Sequence, residues 1–349
     1  MIIRDAGPND NAQLIDLERS APQGTRIKLV SERTDYFVRA RRFVDPVLKI
    51  AVDEKTQDIL GIMGVGPVKV SLGGATATGG LIFDWRSNIR GKNGLPRHIY
   101  RLWQAVEQEV AARKLDFLFG YVKEDNLRSL GILMRSGAQI VEEREFLTLP
   151  VHRAFCRNID SYPVLVEPCI DVGQDGQTVR SACEGRDLLP LADDSGLLQA
   201  LTDTYLQAKV VLGDSSLKIW DSSADYTQKI MHMPLLYHLA RPVFAAVSPI
   251  FPKLLPRIPQ LGEAVHSWYL YDLLIQNPDD LPRLLEKTRL LACSRQVDYL
   301  VICMNAKEAF YPAVASLAWL KLKYYLLYNR LNNDVAIPAE PTYFDIKYI

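Results

Sequence analysis

Apolar positions along this chain recur at two periods, and the switches between them mark the expected elements. Ile2 to Arg4 has strand character, and Pro8-Asn9-Asp10 opens a helix carrying Ala12, Leu14, Ile15 and Leu17. Lys49-Ile-Ala-Val-Asp and Ile59-Leu-Gly-Ile-Met-Gly-Val flank the polar turn Glu54 to Asp58, which predicts a hairpin. Val65 to Leu72 continues its second strand. Gly73-Gly74 and Gly79-Gly80 read as turns on the way to a short apolar strand, Leu81-Ile-Phe-Asp-Trp85. Ile99, Leu102, Trp103, Val106 and Val110 then share one helical face, with Pro96 suited to the first turn. Asp116 to Val122 reads as a buried strand. Asn126 to Ser136 reads as a helix closed by Gly137 in a left-handed cap. Gln139 to Val141 and Glu145 to Leu149 are expected to close the unit as two strands. The order predicts an α/β (α+β) domain with a mixed sheet over residues 1–150.

From there the periodic signal lapses, and Pro150, Pro163 and Pro168 mark a linker over 151–175, with a second domain over 176–349. Asp187 to Lys209 reads as a helix, with Leu188, Leu189, Leu191, Leu198, Leu201, Tyr205 and Leu206 apolar. Between 230 and 260, Pro234, Pro242, Pro249, Pro252, Pro256 and Pro259 interrupt apolar, aromatic text. Short helices and extended pieces forming a lid or arm are expected there. The strand Trp268–Ile275, helix Leu281–Arg295, strand Tyr299–Met304, helix Lys307–Ala318 and strand Leu322–Tyr328 repeat the order of residues 81–149. The repeat is one of pattern, without detectable residue identity.

At 349 residues, 48% hydrophobic and 23% charged, the composition is that of a soluble globular protein with large cores. A formal net charge of zero argues against a nucleic-acid binder that works through a general basic field. Cys156, Cys169, Cys183, Cys293 and Cys303 are scattered without C-x-x-C spacing, so reduced thiols in a cytoplasmic protein are expected. The five histidines (His98, His152, His232, His238 and His266) show no triad or metal spacing, and no metal site is expected. Met-Ile-Ile-Arg-Asp has no signal-peptide layout, and no apolar run is long enough for stable membrane insertion.

The stretch that carries chemistry joins the Leu81 strand to the next helix through Arg90-Gly-Lys-Asn-Gly-Leu95. A strand feeding a small-residue loop at a helix N-terminus is an anion site, because free N–H groups and the positive helix end converge there. Arg86, Arg90, Lys92 and Arg97 add positive charge. A second basic segment, Gln23 to Phe43, holds Arg26, Lys28, Arg33, Arg39, Arg41 and Arg42. It reads as a solvated surface segment, with substrate binding the alternative.

The Leu81–Trp85 strand, the Arg90–Leu95 loop and Asn126-Leu-Arg-Ser-Leu-Gly-Ile-Leu-Met-Arg-Ser-Gly-Ala138 together resemble the GCN5-related N-acetyltransferase (GNAT) superfamily. The two-part layout is similar to the plant Hookless-type proteins, with a GNAT domain followed by a divergent, degenerate GNAT-like half that closes the acceptor site or dimerises. The resemblance implies acyl transfer from acetyl-CoA, or another acyl-CoA, to an amine whose identity stays open. It implies cofactor contacts at Phe83 and Trp85 on the strand edge, at Arg90, Gly91, Lys92, Asn93, Gly94 and Leu95 on the loop, and at Asn126. Asp84, Tyr121 and Glu124, at the carboxyl ends of two central strands, are the candidate catalytic groups. Two positions depart from the family pattern. Asn93 and Leu95 stand where the loop carries glycine, so a phosphate there needs a register shift onto Gly91 and Gly94. Leu133 stands where the family places the tyrosine that protonates the leaving thiolate, a loss on the order of 10²–10⁴ in rate. The rival expectation is a GNAT-fold module that binds acyl-CoA or a protein without catalysis. A further one is long-chain acyl transfer, with residues 230–260 lining the chain's tunnel.

Overall fold

The computed structural model describes residues 1–22, 27–88, 97–151, 165–167, 185–191, 206–247 and 259–345. The first strand, β1 (Ile2–Asp5), leads through a 3-10 turn into α1 (Asn11–Ser20). The buried stripe of α1 is Leu14, Leu17 and Glu18, so an apolar face carries one carboxylate. After β2 (Lys28–Glu32), the strands β3 (Val47–Val52), β4 (Ile59–Leu72) and β5 (Ala75–Ser87) form an antiparallel run that includes the expected hairpin. Next come α2 (Arg97–Ala112), β6 (Phe117–Lys123), α3 (Leu127–Arg135) and β7 (Gln139–Pro150). Asn126 caps α3 by accepting from the Ser129 N–H at 3.2 Å, and Gly137 ends it at φ +95°.

Two local expectations change in this half. Gly79 and Gly80 are not a turn but lie inside β5. A Cβ on Gly79 would sit 2.4 Å from the Phe117 ring, and one on Gly80 would sit 2.7 Å from the Val65 side chain. These glycines are there for close approach. Residues 139–150 form one twelve-residue strand rather than two, because β7 is paired along both edges.

The second half contains β8 (Leu165–Glu167), β9 (Leu189–Pro190), β10 (Leu206–Leu212), β11 (Ser215–Asp221), β12 (Thr227–His232), α4 (Leu235–Val247) and β13 (Ala264–Val265). Then follow β14 (Ser267–Leu274), α5 (Asp280–Ser294), β15 (Tyr299–Met304), α6 (Tyr311–Leu317) and β16 (Leu320–Arg330). The expected 187–209 helix is corrected at both described ends. Leu189–Pro190 pairs with β4, and residues from Leu206 onward are strand; 192–205 lie outside the described residues. The apolar run there serves sheet pairing and seats buried Leu188 in the first core. Helix α4 continues through Pro242. The hydrogen bond that Pro242 removes is tolerated on a helix whose Leu235, Leu236 and Leu239 face solvent. Cys293 is disulfide-bonded, against the expectation of reduced thiols, while Cys303 is free.

Among the described residues, twelve strands lie in the order β1-β3-β4-β5-β6-β16-β7-β15-β14-β11-β10-β8 as one mixed sheet, with β9 beside β4. The order is a palindrome of two equivalent halves. Each half has one parallel pair, β5 with β6 and β14 with β15. At the centre the halves exchange their last strands: β16 lies between β6 and β7, and β7 between β16 and β15. The equivalence extends to a single residue. Both β5 and β14 carry a bulge holding an aspartate at positive φ, Asp84 at +47° and Asp272 at +48°. A smaller sheet, β13-β12-β2, ties the halves together again.

Candidate functional site

Strands β5 and β6 pair only where Gly79 to Leu81 meet Phe117 to Phe119. Both run on, β5 to Ser87 and β6 to Lys123, so the two part beyond that point. Their outer edges are taken by β4 and β16. The edges facing across the gap therefore hold backbone groups that the ladder does not use. The Asp84 bulge lies at this parting, where Met63 of β4 faces the pair Asp84 and Trp85.

A cavity of about 590 Å³ occupies the gap. Residues from Leu81 to Ser87 and from Gly120 to Lys123 form its sides, and Asn126, Ser129, Ile132 and Leu133 bring the start of α3 to it. Tyr226, Gln228, Leu322 and Tyr324 reach it from the second half, so neither half builds the cavity alone.

The sheet gives this cavity two chemically different faces. On one, Phe83 packs with Leu14, Leu17, Tyr36 and Phe43 in the core under α1, stacking on Phe43 at 5.0 Å. On the other, Ile82 and Trp85 pack against Trp103, Val106 and Leu133 from α2 and α3. The α1 face carries a buried charge network. Arg33 donates to both oxygens of Asp84 at 3.0 and 3.2 Å and to Glu18 at 2.6 and 2.8 Å. Arg39 reaches Asp84 at 3.1 Å, and Arg86 reaches Glu18 at 2.6 Å. Arg42 pairs with Asp225 of the second half and lies over the Trp220 ring.

Burial by itself would push the Asp84 carboxyl up, but the charges of Arg33, Arg39 and Arg86 outweigh it and hold the group far below the usual range. A carboxylate so held is a poor proton acceptor, and its observed work is to position guanidinium groups. Tyr121 lines the cavity and packs edge-on against Phe344 at 4.7 Å. Burial raises its phenol well above the ordinary value, so it stays neutral and is a weak acid. Glu124 is exposed and is not among the residues lining the cavity. Asn126 lines it while serving as the α3 cap. Phe83 and Trp85 lie on the parted strand, as expected from the sequence. Arg90, Gly91, Lys92, Asn93, Gly94 and Leu95 lie outside the described residues. Leu133, 2% exposed, forms part of the apolar wall.

The sequence reading missed Glu18, and it placed Arg33, Arg39 and Arg42 on the surface. Their signal was present as a glutamate on the apolar stripe of α1, since a buried carboxylate requires a cation. Among the described residues, no group of three or more metal-ligating side chains occurs, and no helix is long and apolar enough to cross a membrane.

No protein-family model and no curated protein matches the chain. Solved structures do match its fold. N-myristoyltransferase of Saccharomyces cerevisiae with bound myristoyl-CoA is 11% identical, with a TM-score of 0.61 over 96% of this chain and 86% of that one. A GCN5-related N-acetyltransferase from Kribbella flavida is 10% identical, with a TM-score of 0.50 over 95% of this chain and 71% of that one. The chain thus has the GNAT fold in its two-domain form.

Proposed function

We propose that this protein is an N-acyltransferase that moves an acyl group from acyl-CoA to an amine by direct attack in a ternary complex. The observation that carries the reading is the parting of β5 from β6 around a cavity at the start of α3. Unused N–H groups on the parted edge suit an amide-bearing chain, and fixed donors of this kind stabilise charge that develops on a carbonyl oxygen. The capped N-terminus of α3, with Arg128 in its first turn, suits phosphate. A solved structure that superposes over most of this chain holds myristoyl-CoA, which supports acyl-CoA as the donor class and extends the expectation of acetyl-CoA to longer chains. The described part of the proline-rich passage does not support a tunnel there. Leu235, Leu236 and Leu239 face outward and do not line the cavity.

One observation favours the rival reading, a fold that binds acyl-CoA without transferring it. Leu133 lies in the apolar wall at the position where the family carries its tyrosine, leaving no proton donor there. Calorimetry of the intact chain with acetyl-CoA and myristoyl-CoA, beside a Lys92→Glu, Gly94→Glu double variant, tests the donor site. Micromolar binding that is lost in the variant is expected. Absence of binding to either thioester by folded protein overturns the acyltransferase reading.

A further inference from the structure

Among the described residues that form the cavity wall, Lys123 is the single lysine; the other cations there are guanidinium groups. A guanidinium keeps its proton and does not attack a thioester, whereas a lysine can do so once it has given its proton up. Lys123 ends β6, in the part of that strand that has left β5. It stands four residues past Phe119, as Trp85 stands four past its partner Leu81, so it comes level with the Asp84 bulge. Its side chain is 16% exposed. Its ammonium meets the carboxylate of Asp125, which also lines the cavity, at 3.1 Å.

The alternation of β6 fixes the side from which this amine comes. Leu118 and Val122 pack toward α2 and α3, while Phe117, Phe119 and Tyr121 pack in the core under α1. Lys123 follows Tyr121 by two positions and shares its face. The phosphate-suited start of α3 belongs to the other face, with Leu133 and Trp85. A thioester carried in from the α3 side and an amine standing on the α1 side meet where the strands part.

We propose that Lys123 is a self-acylation site, taking the acyl group from an acyl-CoA bound in its own cavity. The proposal rests on the acyltransferase reading, since it uses the same thioester. The Lys123 ammonium first loses a proton, which Asp125 is placed to accept and pass to solvent. The free Nζ attacks the thioester carbonyl carbon, the C–N bond forms and the C–S bond breaks. The leaving thiolate takes the second proton that the nitrogen sheds. The products are an amide on Lys123, free CoA thiol and one released proton. An amine and a thioester held in one cavity react at an effective concentration far above that of a lysine meeting the donor from solution. One thiol is released per chain, and release then stops unless an outside amine is supplied.

The test incubates the intact protein with acetyl-CoA or myristoyl-CoA and no added amine, and maps acylated lysines by peptide mass spectrometry over time. Lys123 is expected to react at least about a hundredfold faster than the exposed Lys55 and Lys114, at a rate independent of protein concentration. Lys123→Arg keeps a cation for Asp125 and should lose both the acyl group and the single burst of thiol. The mapping on wild type decides the question even if that variant does not fold. Labelling of Lys123 no faster than of Lys55 and Lys114 is chemical acylation by the reagent and overturns the proposal. Calorimetry on the same samples separates the two claims. A thioester that binds without acylating Lys123 leaves the acyltransferase reading standing and makes Lys123–Asp125 a structural ion pair. Folded protein that binds neither thioester overturns both.

Discussion

At the scale of single residues, the decisive fact is that the carboxylate at the strand parting is already spoken for. Asp84 is buried at positive φ beneath Arg33 and Arg39. Replacing it by Asn keeps the shape and removes the buried carboxylate that Arg33 and Arg39 share, at an expected cost of about 3–5 kcal/mol. The folded-state pKa is depressed, so wild type holds this advantage above the ordinary carboxyl value of 3.8 and loses it as pH falls toward the folded-state pKa. Urea unfolding of both proteins at pH 7 and pH 3 checks this: the gap should be full at pH 7 and smaller at pH 3. Charge was the least legible part of the site. Arg33, Arg39 and Arg42 sit in a basic segment that any pattern of polarity assigns to the surface. Only the tertiary contact with Glu18 and Asp225 turns them inward.

Among the elements, those with a strong local period were readable. The strand at Trp268, the helix from Leu281 and the strand at Tyr299 appear as β14, α5 and β15 within one or two residues. Signals that serve two structural purposes were not. Gly79-Gly80 looks like a turn because glycine permits turns, yet here it lets β5 lie against the Phe117 ring and the side chains of Val65 and Leu118. Gly79→Val should cost about 1–3 kcal/mol, because Phe117 is fully buried and has no space to yield. Circular dichroism melts give that number. The same substitution at Gly74, which has nothing within 4 Å of its Cβ position, carries no packing clash and leaves only the cost of its φ of +79°.

Across the whole molecule, the sequence disclosed the repeat but not the exchange. Periodicity reports which face of a strand is buried, not which strand lies beside it, so the β7 and β16 patterns are the same whether each stays at home or crosses over. The crossing makes residues 1–150 an incomplete sheet, with β6 and β7 each missing β16. Expressed alone, that fragment is expected to aggregate through these open edges. Addition of residues 206–349 during refolding should recover soluble material, measured by size-exclusion chromatography against the intact chain.

The exchanged strand also sets a timetable. A chain leaving the ribosome makes β6 and β7 some two hundred residues before β16, and at about 5–20 residues per second the gap between them stays open for many seconds. During that interval the parted strands, the arginine cluster and the cavity cannot reach their final form, because Leu322 and Tyr324 of β16 line the cavity. The nascent first half is therefore a client for holding chaperones until translation is nearly over, and any binding competence arrives late and all at once.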